Sequence, residues 1–388
     1  MTSTTPRHAP YATRRRETVR SRALDRDSPL WRLDWTLLAA VFALVAAGAV
    51  LVWSATQESS YLKKDVINIG ISLALGTVVA LVDYRALRAY VPFVYLASCV
   101  GLVAVLSPLG STINGSHSWI RLGGGFEVQP SEFAKVALIV GMAMLLGEKR
   151  DGENVPRDTD VLAVLGLAAV PLGLVLLQPD LGSVMVLVAI LLGVLAISGA
   201  RARWIVGLIL LGIVGAFLVA HLHILKDYQL ERFKAFANPT SGGSGYGYQT
   251  QQARIAIGAG GLHGTGLFQG SQTNGHFVPE QQTDFIFTVA GEELGFIGAG
   301  TLVLLTGVVL WRGLRIASQA QDMFGRLMAT GVVCWLAFQS FENIGMSVGI
   351  MPLTGLPLPF VSYGGSSMFA TFMAVGLLQS VHMRSRGS

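Results

Sequence analysis

The chain has 388 residues, is 52% hydrophobic and only 13% charged, and carries a net charge of +5. A mean hydropathy of +0.55 excludes both an ordinary soluble domain and a disordered chain, each of which needs far more charge. The cations are scattered through loops and one tail rather than gathered on one face, so the basic balance is not a nucleic-acid footprint and no nucleic-acid partner is expected.

Residues 1–34 are rich in Arg, Ser and Thr and read as a disordered cytoplasmic tail able to touch anionic lipid. Apolar runs then recur, most of about 18 to 25 residues and long enough to cross a ~30 Å hydrocarbon core as a helix. They fall near 35–55, 66–82, 89–107, 131–147, 160–177, 181–199, 203–222, 285–311, 326–348 and 363–382. The expected fold class is an all-α polytopic membrane protein of about ten transmembrane helices. One transmembrane domain would cover 35–383, followed by a short cytoplasmic tail, 384–388.

The first run is too long for the apolar core of a cleaved signal and follows an Arg-rich tail. Starting from that tail inside, 20 of the 28 Lys and Arg fall in inner segments and seven in outer ones, with Lys135 in a span. This obeys the positive-inside rule and puts both termini in the cytoplasm. Inner connections are short. Outside, about 20 residues precede Ser131, and a much longer loop, 223–284, holds Tyr246, Tyr248, Phe268 and Phe277 among its glycines, which reads as an ordered lid or interfacial segment.

Ionisable groups in a span cost about 2.5 to 3.5 kcal/mol each near the bilayer centre, so their placement needs a reason. Here they gather in one leaflet. Gln129, Ser131, Glu132 and Lys135 open the fourth run, and Gln178, Pro179 and Asp180 form the outer turn after the fifth. Glu280 and Asp284 precede the eighth run, Glu292 and Glu293 lie about two turns deeper, and Glu342 and Asn343 sit in the outer half of the ninth. Taken singly, Ser131 and Asp180 also read as helix N-caps, Glu132 and Lys135 as an ion pair three residues apart, and Glu292 or Glu293 as a hydrogen-bonding group between helices. As a set they read as a polar cavity opening outward.

Other signals carry less. The Gly-rich stretch Gly258–Gly270 lacks both the sequence and the strand–turn–helix context of a phosphate loop. Cys99 and Cys334 fall in spans and imply neither disulfide nor metal. His221 and His223, two apart, do not share a helix face.

Four blocks in order, "SWIRLGGGFEVQPSEFAK" (118–135), "QPDLGS" (178–183), "FVPEQQTDFIFTVAGEELG" (277–295) and "GMSVGIMPLTGLPLPFVSYGGSS" (345–367), resemble the signature blocks of the SEDS family of cell-wall polymerases. The resemblance covers about 35–383. "GLFQGSQTNGHFVPE" and "LTGLPLPF" follow the RodA branch, whereas FtsW-like chains carry a Lys-Gly pair where Thr354 and Gly355 stand. Gln282 departs from the pattern, since relatives often have His there.

The resemblance implies a peptidoglycan glycosyltransferase that polymerises lipid II at the outer face of the bacterial cytoplasmic membrane during elongation. Its implied partners are a class B penicillin-binding protein and other membrane proteins of the elongation complex. It maps the catalytic aspartate onto Asp284, a functional Trp and Arg onto Trp119 and Arg121, a Glu-x-x-Lys pair onto Glu132 and Lys135, and an acidic turn residue onto Asp180.

The residues themselves suggest related chemistry. A sugar hydroxyl is a poor nucleophile, so a carboxylate at a helix mouth is an economical general base, and Asp284 stands there. Charge developing on a leaving diphosphate calls for cations, with Arg121, Lys135 and Arg254 as candidates, or for a divalent cation such as Mg or Mn whose ligands the sequence leaves unknown. Glu280, Glu342 and Asn343 complete the candidate substrate-binding set. A lipid-linked-substrate transporter or flippase, or a non-catalytic scaffold, are the competing classes. A transporter should carry polar groups in both halves of the membrane, and a scaffold has no need of a buried acid cluster.

Overall fold

A computed structural model describes residues 32–113, 116–123, 126–148, 155–221, 232, 236 and 245–385. Asp34–Ser388 form one compact unit. The tail expected to be disordered lies outside the described residues as far as position 31, as do 386–388 and most of 222–244 in the long loop.

Helix α1 (Trp35–Thr56) begins where the Asp34 carboxylate accepts a hydrogen bond from the Leu37 N–H (3.0 Å), and it ends at Gln57 in the left-handed region. Helices α2 (Ser59–Leu81) and α3 (Tyr84–Leu106) start several residues ahead of their apolar runs. Backbone hydrogen bonding continues through polar first turns that hydropathy does not register. Asp83 caps α3 by accepting from the Arg85 N–H at 2.9 Å.

The segment before the fourth run departs from the all-helical expectation. Strands β1 (Gly110–Ile113), β2 (Ser116–Gly123) and β3 (Phe126–Val128) pair antiparallel in that order, with Ile120 opposite both Gly110 and Val128. Pairing satisfies backbone groups that an irregular loop would leave open against the helix ends. The sheet is tied down by Ser116 Oγ, which donates to the Gln178 carbonyl (3.1 Å), and by Ser366 Oγ, which donates to the Glu127 carbonyl (3.2 Å).

Helix α4 (Pro130–Gly147), with proline at its first position, is the core of the bundle. Its apolar window is 78% buried, against 17–44% for the other long apolar helices. It packs on α3, α5 (Asp158–Leu177), α6 (Leu181–Ile197), α12 (Met323–Val348) and α13 (Gly365–Ser385). The remaining elements are α7 (Ala202–His221), α8 (Tyr246–Gly260), α9 (Ser271–Asn274), α10 (Ile286–Glu293) and α11 (Gly295–Gln319). Among the described residues, α1–α5 and α11 are long and apolar enough to cross a bilayer. The protein is mostly helical and multi-pass.

The run expected as one helix over 285–311 is broken between α10 and α11, where Gly295 has φ +66°. A break inside a membrane leaves carbonyls and N–H groups without partners, and the turn after α8 supplies them. The Thr265 and Gly266 N–H groups donate to the Glu292 and Glu293 carbonyls (2.9 and 3.1 Å). In return the Phe296 and Ile297 N–H groups donate to the Gly261 and Leu262 carbonyls (2.9 and 3.1 Å). This backbone-to-backbone approach requires glycine, since a Cβ on Gly260 or Gly264 would collide with carbonyls of α10. The carboxylates continue the anchoring. Glu292 accepts from the Gln272 and Thr273 N–H groups (2.8 and 2.9 Å) and Thr273 Oγ1 (2.7 Å), while Glu293 accepts from Ser54 Oγ (2.6 Å) and the Phe268 N–H (3.2 Å).

At the other end of the bundle, buried Asp34 accepts from Arg312 Nε at 2.8 Å, and the Asp34 backbone exchanges hydrogen bonds with the Gln379 amide. This joins α1, α11 and α13. The end that carries the sheet holds a cavity.

Candidate active site

The sheet, the turn between α5 and α6, the segment before α10 and the chain between α12 and α13 enclose a cavity of about 600 Å³, a size typical of small-ligand clefts. Its wall includes Asn68 of α2, Trp119 and Glu127 of the sheet, Asp180, Arg232, Glu280, Asp284, Thr354, Gly355 and Tyr363. Four carboxylates thus meet from three chain segments, and Arg232 is the cation among the described lining residues.

Asp284 is held by its backbone. Its N–H donates to the Glu280 carbonyl (3.0 Å), and its carbonyl accepts from Asn343 Nδ2 (2.7 Å). The same Asn343 nitrogen donates to the Leu356 carbonyl at 2.7 Å, so one buried amide fixes two walls of the cavity. Gly355, with φ +74°, lies against the carboxylate; a Cβ there would sit 3.2 Å from Asp284 Oδ2. Burial, and then the neighbouring Glu280 charge, push the Asp284 pKa from its ordinary 3.8 up to about 7, opposed by Arg232 and by a hydrogen bond from Thr283. A carboxylate that titrates near neutrality suits proton abstraction from a hydroxyl.

Beneath the cavity the Glu132–Lys135 pair is fully buried, with Lys135 Nζ 2.7 Å from Glu132 Oε1. Lys135 Nζ also donates to Gln339 Oε1 (2.9 Å) and lies 4.7 Å from the centre of the Trp335 ring. Gln339 Nε2 donates in turn to the Pro357 carbonyl (2.8 Å). The ion pair therefore acts on the cavity through the 354–357 wall.

The structure divides the sequence-predicted residues into two groups. Asp284, Glu280, Asp180 and Trp119 line the cavity. Asp180 is also the N-cap of α6, its oxygens taking hydrogen bonds from the Ser183 N–H and hydroxyl and from Gln129 Nε2. The others lie outside the lining. Arg121 is exposed and pairs with Glu127 at 3.3 Å. Arg254 Nη2 donates to the Gly349 carbonyl (2.8 Å) at the C-terminus of α12, a helix-end contact rather than a cavity group. Glu342 is buried in α12, and Asn343, expected as a substrate contact, is buried off the lining and donates to the Asp284 and Leu356 carbonyls. Among the described residues, Glu132 and Lys135 are off the lining, and Gln339 links Lys135 to the Pro357 carbonyl of the cavity wall.

Sequence reasoning missed Arg232, Glu127 and the Tyr61, Asn68 and Tyr363 wall. A signal for the last was present: Tyr61, Asp65, Asn68 and Ser72 recur at helical spacing, a polar stripe in an otherwise apolar helix. Arg232 carried none, being one of seven outer cations. Among the described residues no group of three or more His, Cys, Asp or Glu is arranged to hold a metal, and the Asp180 oxygens are already engaged. The described protein donors do not by themselves form a cation site.

The profile of the FtsW/RodA/SpoVE cell cycle protein family matches residues 31–387. A probable peptidoglycan glycosyltransferase FtsW of Trichlorobacter lovleyi is 37% identical over 358 residues, covering 90% of this chain and 92% of the relative. A chain in the solved structure of a peptidoglycan synthase complex, described as coordinating polymerization and crosslinking, superposes with a TM-score of 0.78 at 32% identity, over 92% of this chain and 99% of that one. The rod shape determining protein RodA of Thermus thermophilus gives a TM-score of 0.68 at 31% identity, over 92% and 98%. With its fold and nearly its whole length matched, the chain belongs to the FtsW/RodA/SpoVE family of cell cycle proteins.

Proposed function

We propose that the protein is a peptidoglycan glycosyltransferase that polymerises lipid II into glycan strands, with Asp284 as general base. The observation that carries this reading is Asp284 on the wall of the cavity, fixed through its backbone by Asn343 and titrating near neutrality. The Asp284 carboxylate takes the proton of an attacking sugar hydroxyl. The new bond forms from that oxygen to the anomeric carbon of the donor sugar as the bond to the lipid diphosphate breaks, and its electron pair stays on the departing diphosphate. Arg232, on the lining of the same cavity, offsets the charge that develops on the diphosphate.

In this reading ten spans place both termini in the cytoplasm and the cavity at the outer face of the bacterial cytoplasmic membrane, as the distribution of Lys and Arg supports. A divalent cation would be held jointly by carboxylates and substrate phosphate oxygens. A class B penicillin-binding protein is the proposed partner, and the synthase complex structure supports it.

The RodA-style segments favour elongation, whereas the FtsW relative favours division. Depletion separates them, since rounded cells support elongation and filaments support division. Incubating purified protein, alone and with its partner, with labelled lipid II tests the activity. Glycan chains from wild type and none from Asp284→Asn are expected. Lipid movement across vesicles without any glycan would overturn the reading in favour of a flippase.

A further inference from the structure

One wall of the cavity is not used by the proposed proton transfer. It is formed by α2 and by the chain entering α13. Tyr61 and Tyr363 meet edge to face, with ring centroids 5.4 Å apart, and both line the cavity. Asn68, two turns along α2 from Tyr61, also lines it, is 4% exposed, and has an amide oxygen without a hydrogen-bond partner. Asp65, one turn before Asn68 and 2% exposed, likewise has a carboxylate oxygen without a partner. The Tyr363 hydroxyl lies within electrostatic reach of Asp65, Tyr61 and Glu127.

A buried acceptor without a donor is costly unless something supplies one. Here the unmet acceptor sits on a cavity wall beside two aromatic rings. Acceptors beside aromatic faces suit a ligand that donates hydrogen bonds and presents C–H surface, and they repel an anion. The diphosphate belongs with Arg232, which donates to the Thr354 carbonyl beside Gly355 and Asp284.

We propose that the wall built by Tyr61, Asn68 and Tyr363 is a subsite for an uncharged sugar residue bearing hydroxyl and acetamido groups. The inference rests on the polymerase reading for the identity of that sugar, which has two possible sources: the lipid-linked precursor or the end of the growing strand. Asn68 donates to or accepts from the sugar's polar groups, and the tyrosines pack on its ring. Gly365 leaves room for the amide, since a Cβ there would come within 3.3 Å of it.

The test uses the full-length protein in nanodiscs with three probes: a soluble β-1,4-linked N-acetylglucosamine tetrasaccharide, lipid II, and a polyprenyl diphosphate. Binding is measured to wild type, Asn68→Leu and Tyr61→Ala, all in an Asp284→Asn background so that no polymer forms. Loss of one neutral hydrogen bond predicts about three- to tenfold weaker sugar binding in Asn68→Leu, a similar loss in Tyr61→Ala, and unchanged polyprenyl diphosphate binding. Weakening of the tetrasaccharide alone assigns the subsite to the strand end, and weakening of lipid II alone assigns it to the precursor. Equal affinities for both sugar probes in wild type and variants, or a parallel loss of polyprenyl diphosphate binding, would overturn the proposal. Tyr61 stands in the first turn of α2 and is only partly buried, so its variant keeps the test valid if Asn68→Leu fails to fold. Polymer formation by the unmodified protein is scored separately. Sugar binding through Asn68 in a wild type that makes no glycan would sink the polymerase reading and leave the subsite standing.

Discussion

Asp284 makes the sharpest demand on experiment, because its environment sets a pH at which the reaction must switch on. A general base works only when ionised. With a pKa of about 7, half the molecules are competent at pH 7 and about one in ten at pH 6, so the rate falls about tenfold per pH unit below that point. Glu280 raises the value and Arg232 lowers it. Glu280→Gln therefore shifts the acid limb to lower pH, and Arg232→Gln shifts it to higher pH. Asp284→Asn removes the limb together with activity, by about 10²-fold or more.

Stability runs the other way. Between pH 4 and 7 the folded protein keeps a proton that the unfolded chain, titrating near 3.8, has released, so wild type loses stability as pH rises through that window. Asp284→Asn does not titrate, and it is expected to melt above wild type at pH 8 but close to it at pH 4. The assay is polymerisation of labelled lipid II by the purified complex from pH 5.5 to 8.5, paired with thermal melts. A rate independent of pH between 6 and 8, or substantial polymer from Asp284→Asn, would refute the reasoning.

Three further outcomes follow from the supporting contacts. Glu132→Ala strands a buried ammonium and is expected to cost about 3–5 kcal/mol, whereas Glu132→Gln with Lys135→Met should recover most of that in thermal melts; equal melting of wild type and Glu132→Ala would show that the pair is not structural. Asn343→Leu leaves the Asp284 and Leu356 carbonyls without their donor, so kcat should fall about tenfold or more with little change in substrate affinity, and a pure affinity loss would instead make Asn343 a substrate contact. Glu292→Gln weakens hydrogen bonds to α9 that are worth about 1.5–3 kcal/mol each when the acceptor is charged, so limited proteolysis should cut within 261–285 faster than in wild type.

The sequence by itself determined the apolar runs, because hydrophobic length is a local property and water and lipid sort it residue by residue. It also placed the acids: Asp284, Glu280 and Asp180 were legible as charges in one leaflet, and the structure puts all three on the lining of one cavity. Tertiary structure decided what no local pattern encodes. Glu132 and Lys135, three apart in sequence, read as substrate-binding residues; the structure gives Lys135 a further hydrogen bond to Gln339, about 200 residues away, which it meets only when α4 packs on α12. Asn343 read as a substrate contact because polarity in a span marks function, while its actual partners are the carbonyls of two loops brought together by packing. The break before Gly295 escaped the hydropathy pattern because apolar residues flank Glu292 and Glu293 on both sides. Only the turn after α8, folded back from more than 25 residues upstream, supplies the hydrogen bonds that let the helix stop there.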